Sequence, residues 1–384
     1  MATRVRSYSK INLGLAIGPV RPDGFHGLTT LYQTLDLHDL VTVSAKRATD
    51  TSILLTTNHP FVPRDARNTA WKMVEGCLTR LGVAAEVKIH IEKRLPVQGG
   101  MGAGSANAAA ALLGLERELG AEMAPDERLG VAAEVGSDVP LFLVGGAVIG
   151  TGRGEQVLAV RDLPKTWCVV AVPQVGVSTP AAFKAWDELV AHGKDRPAGA
   201  KDPHFEGDED STAEAVLLTE RMSPEETRLT FSSKPDRLME LSLAYSFLSA
   251  KTGDGRPGTS GIVRDPNPKK KRGFPDGNQA GAMNDLAENT LLALVRTGIG
   301  NDFEEVVFPQ YPSLRITKRQ LMGSDSDSPA IYAALSGSGS ALFGLYRSET
   351  DAKAAQQRVQ SSGVQAFLTE TLPRAEYWER MFAE

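Results

Sequence analysis

Cysteine is nearly absent: Cys77 and Cys168 are the only two in 384 residues. Two are too few for a disulfide framework, and they lack the spacing of a metal-binding cluster. Long apolar runs are missing too. None approaches the roughly 20 residues a bilayer crossing needs, so no membrane partner is expected. Basic charge is in short supply: 42 Lys and Arg against 47 Asp and Glu leave a net charge of −5. That argues against nucleic acid as the main partner and requires any positive field at a site to be local. Met1 to Lys10 carries Arg4, Arg6 and Lys10, but no apolar stretch of signal-peptide type follows. These shortages predict a reduced, soluble, cytoplasmic protein. What is present is an ordinary 41% of hydrophobic residues, over a length that suggests about two domains and a sizeable core.

Glycine is concentrated in one place. Gly99, Gly100, Gly102 and Gly104 lie between a strand pattern and a helix pattern. Upstream, Val87, Ile89 and Ile91 alternate with Lys88, His90 and Glu92, as in a half-buried strand. Downstream, Asn107 to Leu119 is rich in Ala and Leu and ends at Gly120, as in a helix with a glycine stop. A loop of this kind lets backbone N–H groups at a helix N-terminus approach an anion, most often a phosphate. No Gly-Lys-Ser/Thr follows, so it is not a Walker A loop, and Ser105 stands where a dinucleotide fingerprint has its third glycine. A side chain at Gly102 is expected to fall where a triphosphate lies. The competing reading is a tight strand-to-helix turn without a ligand.

The loop is similar to the ATP-binding loop of the GHMP kinase superfamily. Other segments match in order: Ser9 to Leu13, Arg21 to His26, Gly136 to Pro140, and Leu335 to Ser340 with its three serines and two glycines. Together they cover about residues 4–185 and 283–346. The resemblance is strongest to the branch that phosphorylates a cytidine diphosphate-linked methylerythritol in isoprenoid precursor synthesis. It implies an α+β, two-domain GHMP kinase fold with the active site in the interdomain cleft, and ATP and Mg²⁺ as cofactors. It also implies that Lys10 and Asp138 are the catalytic pair. Asp138 would accept the proton of the acceptor hydroxyl, and Lys10 would stabilise charge on the phosphoryl oxygens. Read alone, Asp138 is equally a helix cap ahead of Pro140, and Lys10 a surface lysine on an edge strand.

The same resemblance implies ATP contacts at Pro96, Gly99, Gly100, Gly102, Gly104, Ser105, Asn107 and, near the adenosine, Asn68. Substrate contacts fall on Asn12 at the polyol end, on Phe25 and Phe183 as two rings around the cytosine, on His26 at the base edge, and on Thr179. Rings can stack on a base and histidine can hydrogen-bond its edge; as lone residues, Phe25 and Phe183 read equally as core and His26 as a turn residue. No metal-ligating set is identified. The chain departs from the family at Ala106, where a second adjacent serine is usual and where loss of a hydroxyl puts Mg²⁺ coordination in question.

The chain organisation predicts an ATP-binding domain over 1–160 and a substrate domain over 161–384, with an insertion at about 192–281. The insertion is rich in charge, Gly, Pro and Ser and includes Gly253–Gly258 and the basic run Lys269–Arg272, read as a solvated loop. Within it, Pro235–Lys251 has helix-like apolar content, and Asn284–Arg296 reads as a helix beyond it. Helices are also expected over Thr69–Leu81, from an Asp126 cap through Glu134, and over Ala181–Val190. Strands are expected at Leu141–Leu143, Ala147–Ile149, Cys168–Val172 and Ala341–Tyr346. Another GHMP small-molecule kinase, of homoserine or mevalonate type, and a non-catalytic sensor on the same fold are the alternatives. The oligomeric state stays open.

Overall fold

The computed structural model describes residues 2–97, 99–194, 298–324 and 328–384. The expected insertion with its helix Pro235–Lys251, the segments Gly253–Gly258 and Lys269–Arg272, and the helix Asn284–Arg296 lie outside the described residues. The chain is α+β, with two sheets and helices on the outer face of each.

The first sheet grows from two long strands, β1 (Thr3–Val20) and β2 (His26–Arg47), paired antiparallel along nearly their whole length. β2 then serves two neighbours. Its C-terminal half pairs with β4 (Ala85–Glu92), which pairs in parallel with β3 (Ser52–Thr57). Its N-terminal half pairs with β5 (Ala147–Thr151), which continues into β6 (Gln156–Ala159). The alternation read at Val87, Ile89 and Ile91 is present: these three are buried and their neighbours are not. Helices α1 (Thr69–Leu81), α2 (Ala103–Leu119) and α3 (Pro125–Val135) cover one face.

The second sheet orders its strands β10 (Gln365–Glu370), β7 (Trp167–Val172), β9 (Leu342–Tyr346) and β8 (Tyr332–Leu335), all antiparallel. β7 is buried on both faces, which explains its continuous apolar run. Cys168 and Val170 face a core shared with Ile11, Leu13, Leu31 and Leu35 of the first sheet. Val169 and Ala171 face helices α4 (Thr179–Lys194), α5 (Glu304–Gln310), α6 (Pro312–Met322) and α7 (Glu349–Ser361). The end of the chain then leaves this sheet. Helix α8 (Arg374–Glu379) buries Tyr377 in the first core, and β11 (Phe382–Ala383) pairs with β1. A boundary near residue 160 remains our proposal, and these last residues sit with the first sheet.

Several local expectations need correction. Leu141–Leu143 belongs to a 3-10 helix, Pro140–Leu143, rather than a strand; Pro140 lacks the N–H a strand ladder needs, and its fixed φ suits a helical first position. Asp126 is in the first turn of α3, whose N-cap is Ala124. α2 begins at Ala103, four residues before the expected Asn107. The glycines at 99–104 masked that start, because helix propensity reads glycine as loop.

The α2–sheet contact is close. A Cβ added at Gly114 would stand 2.7 Å from Val43 Cγ2. In an open helix Gly→Ala gains about 1 kcal/mol. Here Gly114→Ala is expected to lower the melting temperature, and Val43→Ala in the same chain to recover part of the loss. Thermal denaturation of the two variants checks this; a rise for Gly114→Ala alone would refute the close packing.

Candidate functional site

Lys10 lies on β1 opposite Thr34 of β2, and on its other edge its N–H donates to the Met101 carbonyl of the glycine loop at 3.1 Å, so it is not the surface lysine of an open edge. It is 2% exposed. A buried ammonium is costly unless partners replace its lost hydration, and three neighbours do this. Asn12, two residues along and on the same face, accepts from Nζ at 2.6 Å. Asp138 Oδ2 is 3.3 Å away, and the Tyr32 ring centroid 5.5 Å away. Asn12 in turn donates to Thr30 Oγ1 at 2.8 Å, and Thr30 donates to the Gly14 carbonyl. The β1–β2 register sets Asn12 opposite Tyr32 and Lys10 opposite Thr34, so two adjacent strands present one polar face.

Asp138 arrives from the turn after α3. It does not cap the 3-10 helix, whose N-cap is Val139. Its Oδ1 accepts from the Tyr32 hydroxyl at 3.0 Å, and its Oδ2 faces Lys10. Burial and the adjacent Asp138 charge push the Tyr32 phenol well above its usual range. It therefore stays a neutral donor.

The glycine loop leads onto α2. Gly102, the N-cap, has φ +72°, and no side chain caps the helix. The first turn holds no acid. The intrahelical ladder starts with Ala106 N–H donating to the Gly102 carbonyl, so the N–H groups of Ala103, Gly104 and Ser105 precede it. An uncapped helix start without a carboxylate suits an anion. The turn after β8 closes over the loop: Ser336 Oγ donates to the Gly100 carbonyl at 3.1 Å, and Ala341 N–H donates to the Gly99 carbonyl at 3.0 Å. A Cβ at Gly100 would run into the Ser336 carbonyl. Thr179, at the start of α4, shares a 2.7 Å hydroxyl contact with Ser338. Pro96, half-buried, precedes the loop.

Two expectations about this loop change. A side chain at Gly102 meets the protein itself, since its Cβ would lie 2.8 Å from Phe142 Cζ and 3.1 Å from Lys10 Cγ. Glycine is needed there for packing and for its positive φ. Ala106 is 2% exposed and belongs to the first core, so a hydroxyl at that position would enter the core at the level of its own side chain. Ser105, half-buried, is the hydroxyl of that pair at the helix mouth.

The remaining residues are less free than their motifs suggest. Asn107 accepts from Ser7 Oγ at 2.7 Å and is buried. Asn68 caps α1, accepting from Ala70 N–H at 2.9 Å and donating to the Pro63 carbonyl at 2.8 Å. His26 is clamped: Nδ1 donates to the Gly18 carbonyl at 2.9 Å, and Nε2 is 3.1 Å from Asp187 Oδ1. Its ring lies parallel to Phe183, with centroids 5.0 Å apart. Phe183 also meets Phe303 edge-on. Phe25 is 54% exposed and carries the Arg153 guanidinium 4.9 Å from its ring centre. Tyr32, Asp187 and Arg153 were not foreseen. For Tyr32 the sequence carries no clear signal, since Gln33 interrupts the alternation of Thr30, Tyr32 and Thr34 with Leu31 and Leu35.

Among the described residues, no group of three or more His, Cys, Asp and Glu could hold a metal ion.

The GHMP kinases N terminal domain matches residues 68–146, and the GHMP kinases C terminal domain matches residues 281–365. The 4-diphosphocytidyl-2-C-methyl-D-erythritol kinase of Rhodococcus jostii is 41% identical over 189 residues, 49% of this chain and 60% of that protein. The protein of the same name from Streptomyces coelicolor is 37% identical over 273 residues, 69% of this chain and 89% of that one. This chain spans about three fifths of the length of several curated relatives it matches, 60%, 63% and 61% for three of them. A crystal structure of 4-(cytidine 5'-diphospho)-2C-methyl-D-erythritol kinase superposes with TM-score 0.58 at 22% identity, covering 96% of this chain and 99% of that one. A homoserine kinase from Cytophaga hutchinsonii gives 0.57 at 16%, covering 97% and 95%. At these identities the structural likeness speaks for the fold.

Gly102→Ala is expected to lower the melting temperature as well as turnover, because the added methyl presses on Phe142 and on the stem of Lys10. Phe142→Leu should restore part of the stability. Calorimetry and a kinase assay on the three proteins check this; full stability in Gly102→Ala would show that the loop has room to spare.

Proposed function

The chain belongs to the GHMP kinase family, and on that premise we propose that it transfers the γ-phosphoryl group of ATP to the 2-hydroxyl of 4-diphosphocytidyl-2-C-methyl-D-erythritol, a step in isoprenoid precursor synthesis. The observation that carries the reading is the Lys10–Asp138 pair, 3.3 Å apart, with the stem of Lys10 packed against Gly102 at the uncapped start of α2.

Phosphoryl transfer is mostly positioning and charge stabilisation. The N–H groups of Ala103, Gly104 and Ser105 at the mouth of α2 hold the triphosphate. Asp138 receives the proton of the acceptor hydroxyl as the new O–P bond forms, and the leaving group is ADP. Lys10 has no freedom to leave: its ammonium is buried beside both the base and the loop, where it balances charge spreading over the phosphoryl oxygens. Asn12 orients Lys10 and borders the acceptor. Mg²⁺ suits this donor set, since it keeps several waters and is held largely by phosphates. Ser105 Oγ would be the protein oxygen that helps to hold it, and the ion would supply charge neutralisation at the phosphates. At the nucleoside end, His26, Phe25 and Phe183 supply ring faces and a polar edge for cytosine. That is why we favour a cytidine-bearing acceptor over homoserine or mevalonate, which have no base to stack. The intact pair argues against a non-catalytic sensor. We place the reaction in the cytoplasm.

Asp138→Asn keeps the size and removes the proton acceptor. Turnover is expected to fall by at least about 10²-fold, with ATP affinity nearly unchanged. Parent-like turnover in this variant would sink the assignment. Phe183→Ala should weaken acceptor binding by about 1–3 kcal/mol and leave ATP binding alone; titration calorimetry with each ligand checks it, and unaltered acceptor affinity would remove the base-stacking role.

A further inference from the structure

The Asp138 carboxylate is held by two different strands. Lys10 of β1 faces Oδ2 at 3.3 Å, and Tyr32 of β2 donates to Oδ1 at 3.0 Å. Without the second contact the carboxylate would be free to rotate about its last side-chain bond and turn both oxygens toward the ammonium. Its remaining lone pairs would then point away from an acceptor hydroxyl. We propose that Tyr32 is a positioning residue for phosphoryl transfer: its hydroxyl fixes the rotation of the Asp138 carboxylate so that one oxygen stays aimed at the acceptor. This rests on the reading of Asp138 as the base.

The surroundings of Tyr32 are built to hold its hydroxyl in one place. The side chain is 2% exposed. A Cβ at Gly150 would lie 2.6 Å from Tyr32 Cε2, and a Cβ at Gly154 2.5 Å from the hydroxyl. Two glycines on the β5–β6 hairpin therefore leave the slot that the phenol fills. The opposite side is closed by Lys10, whose ammonium lies 5.5 Å from the ring centre. The charged groups around this hydroxyl come from three elements: Lys10 from β1, Asp138 from the turn after α3, and Glu155 from the hairpin turn. Two of the three are anions, and with burial they keep the phenol protonated. The hydroxyl is thus a permanent donor, and a carboxylate is the partner such a donor holds most strongly.

A packing role alone would also favour a buried tyrosine, so the test must read coupling to Asp138. The full chain is assayed with ATP and the cytidine diphosphate acceptor, in the parent and Asp138→Asn backgrounds. Tyr32→Phe is expected to lower kcat about tenfold, less than the roughly 10²-fold that a 1 Å misplacement can cost. KM for each substrate should stay within about twofold, as for an interaction made in the transition state. In the Asp138→Asn background the same substitution should cost nothing further. Gly150→Ala keeps the hydroxyl and displaces the ring. It should reproduce the kcat loss in the parent and lose its effect in Asp138→Asn, and it decides the matter if Tyr32→Phe folds poorly. Unchanged kcat in Tyr32→Phe, or equal losses in both backgrounds, overturns the proposal. The Asp138→Asn single variant separates the two readings. Parent-like turnover there removes the base itself, whereas a large loss there with an unaffected Tyr32→Phe removes only the positioning role.

Discussion

A buried ammonium is the constraint on which the site is built. Lys10 is placed on β1 between β2 and the glycine loop, almost without solvent. Removing that charge from water is expensive unless partners replace the lost hydration. The partners come from separate parts of the chain: Asn12 from the same strand, Tyr32 from β2, and Asp138 from beyond α3. Each is fixed by something else. Thr30 holds Asn12, the hairpin glycines admit Tyr32, and Pro140 starts the 3-10 turn that follows Asp138. Gly102 lies against the stem of the lysine, so the phosphate loop and the charge centre are packed as one unit. The cost of burial is thereby converted into a cation with a single location.

Much of this was legible from residue order and spacing. The glycines before α2 were visible in the residues themselves, because close backbone approach and positive φ admit few residue types, whereas Lys10, Asp138 and the closing turn at Leu335–Ser340 were visible only through the resemblance to the GHMP kinases. The strand pattern at Val87–Ile91 was also clear, as was the continuous apolar run of β7. Other features could not be read. Ala106 counted as a missing hydroxyl until its burial showed which way the helix turns it. Gly102 suggested a ligand, yet Phe142, forty residues later, is what crowds its Cβ. Such contacts depend on which segments meet, and periodicity within one segment carries no record of that. Tyr32 was hidden for a related reason: in a strand, an aromatic residue normally signals core packing, and only the register with Asn12 shows that its hydroxyl reaches an ionised group.

The two ends of the site obey different physics. At the phosphoryl end, groups are buried, paired and held from several sides, which favours one geometry at little reorganisation cost. At the nucleoside end, Phe25 is mostly exposed, and its visible partner is Arg153, a side chain on a hairpin turn. A guanidinium over an exposed ring gains only about 0.5–1 kcal/mol, little enough to yield to a stacked base. His26 differs from Phe25. Its two nitrogens face a carbonyl and a carboxylate, and Phe183 covers one face of its ring. Of its two polar contacts, the Gly18 carbonyl is fixed backbone, whereas Asp187 is a half-exposed side chain that can turn away. On the proposed reading, an arriving base that competes for the histidine edge would displace Asp187 and leave the backbone contact in place. The rigid end then keeps its alignment while the adaptable end exchanges partners. The proposed function would need that division, because a long anionic acceptor has to be admitted while one hydroxyl is held on target.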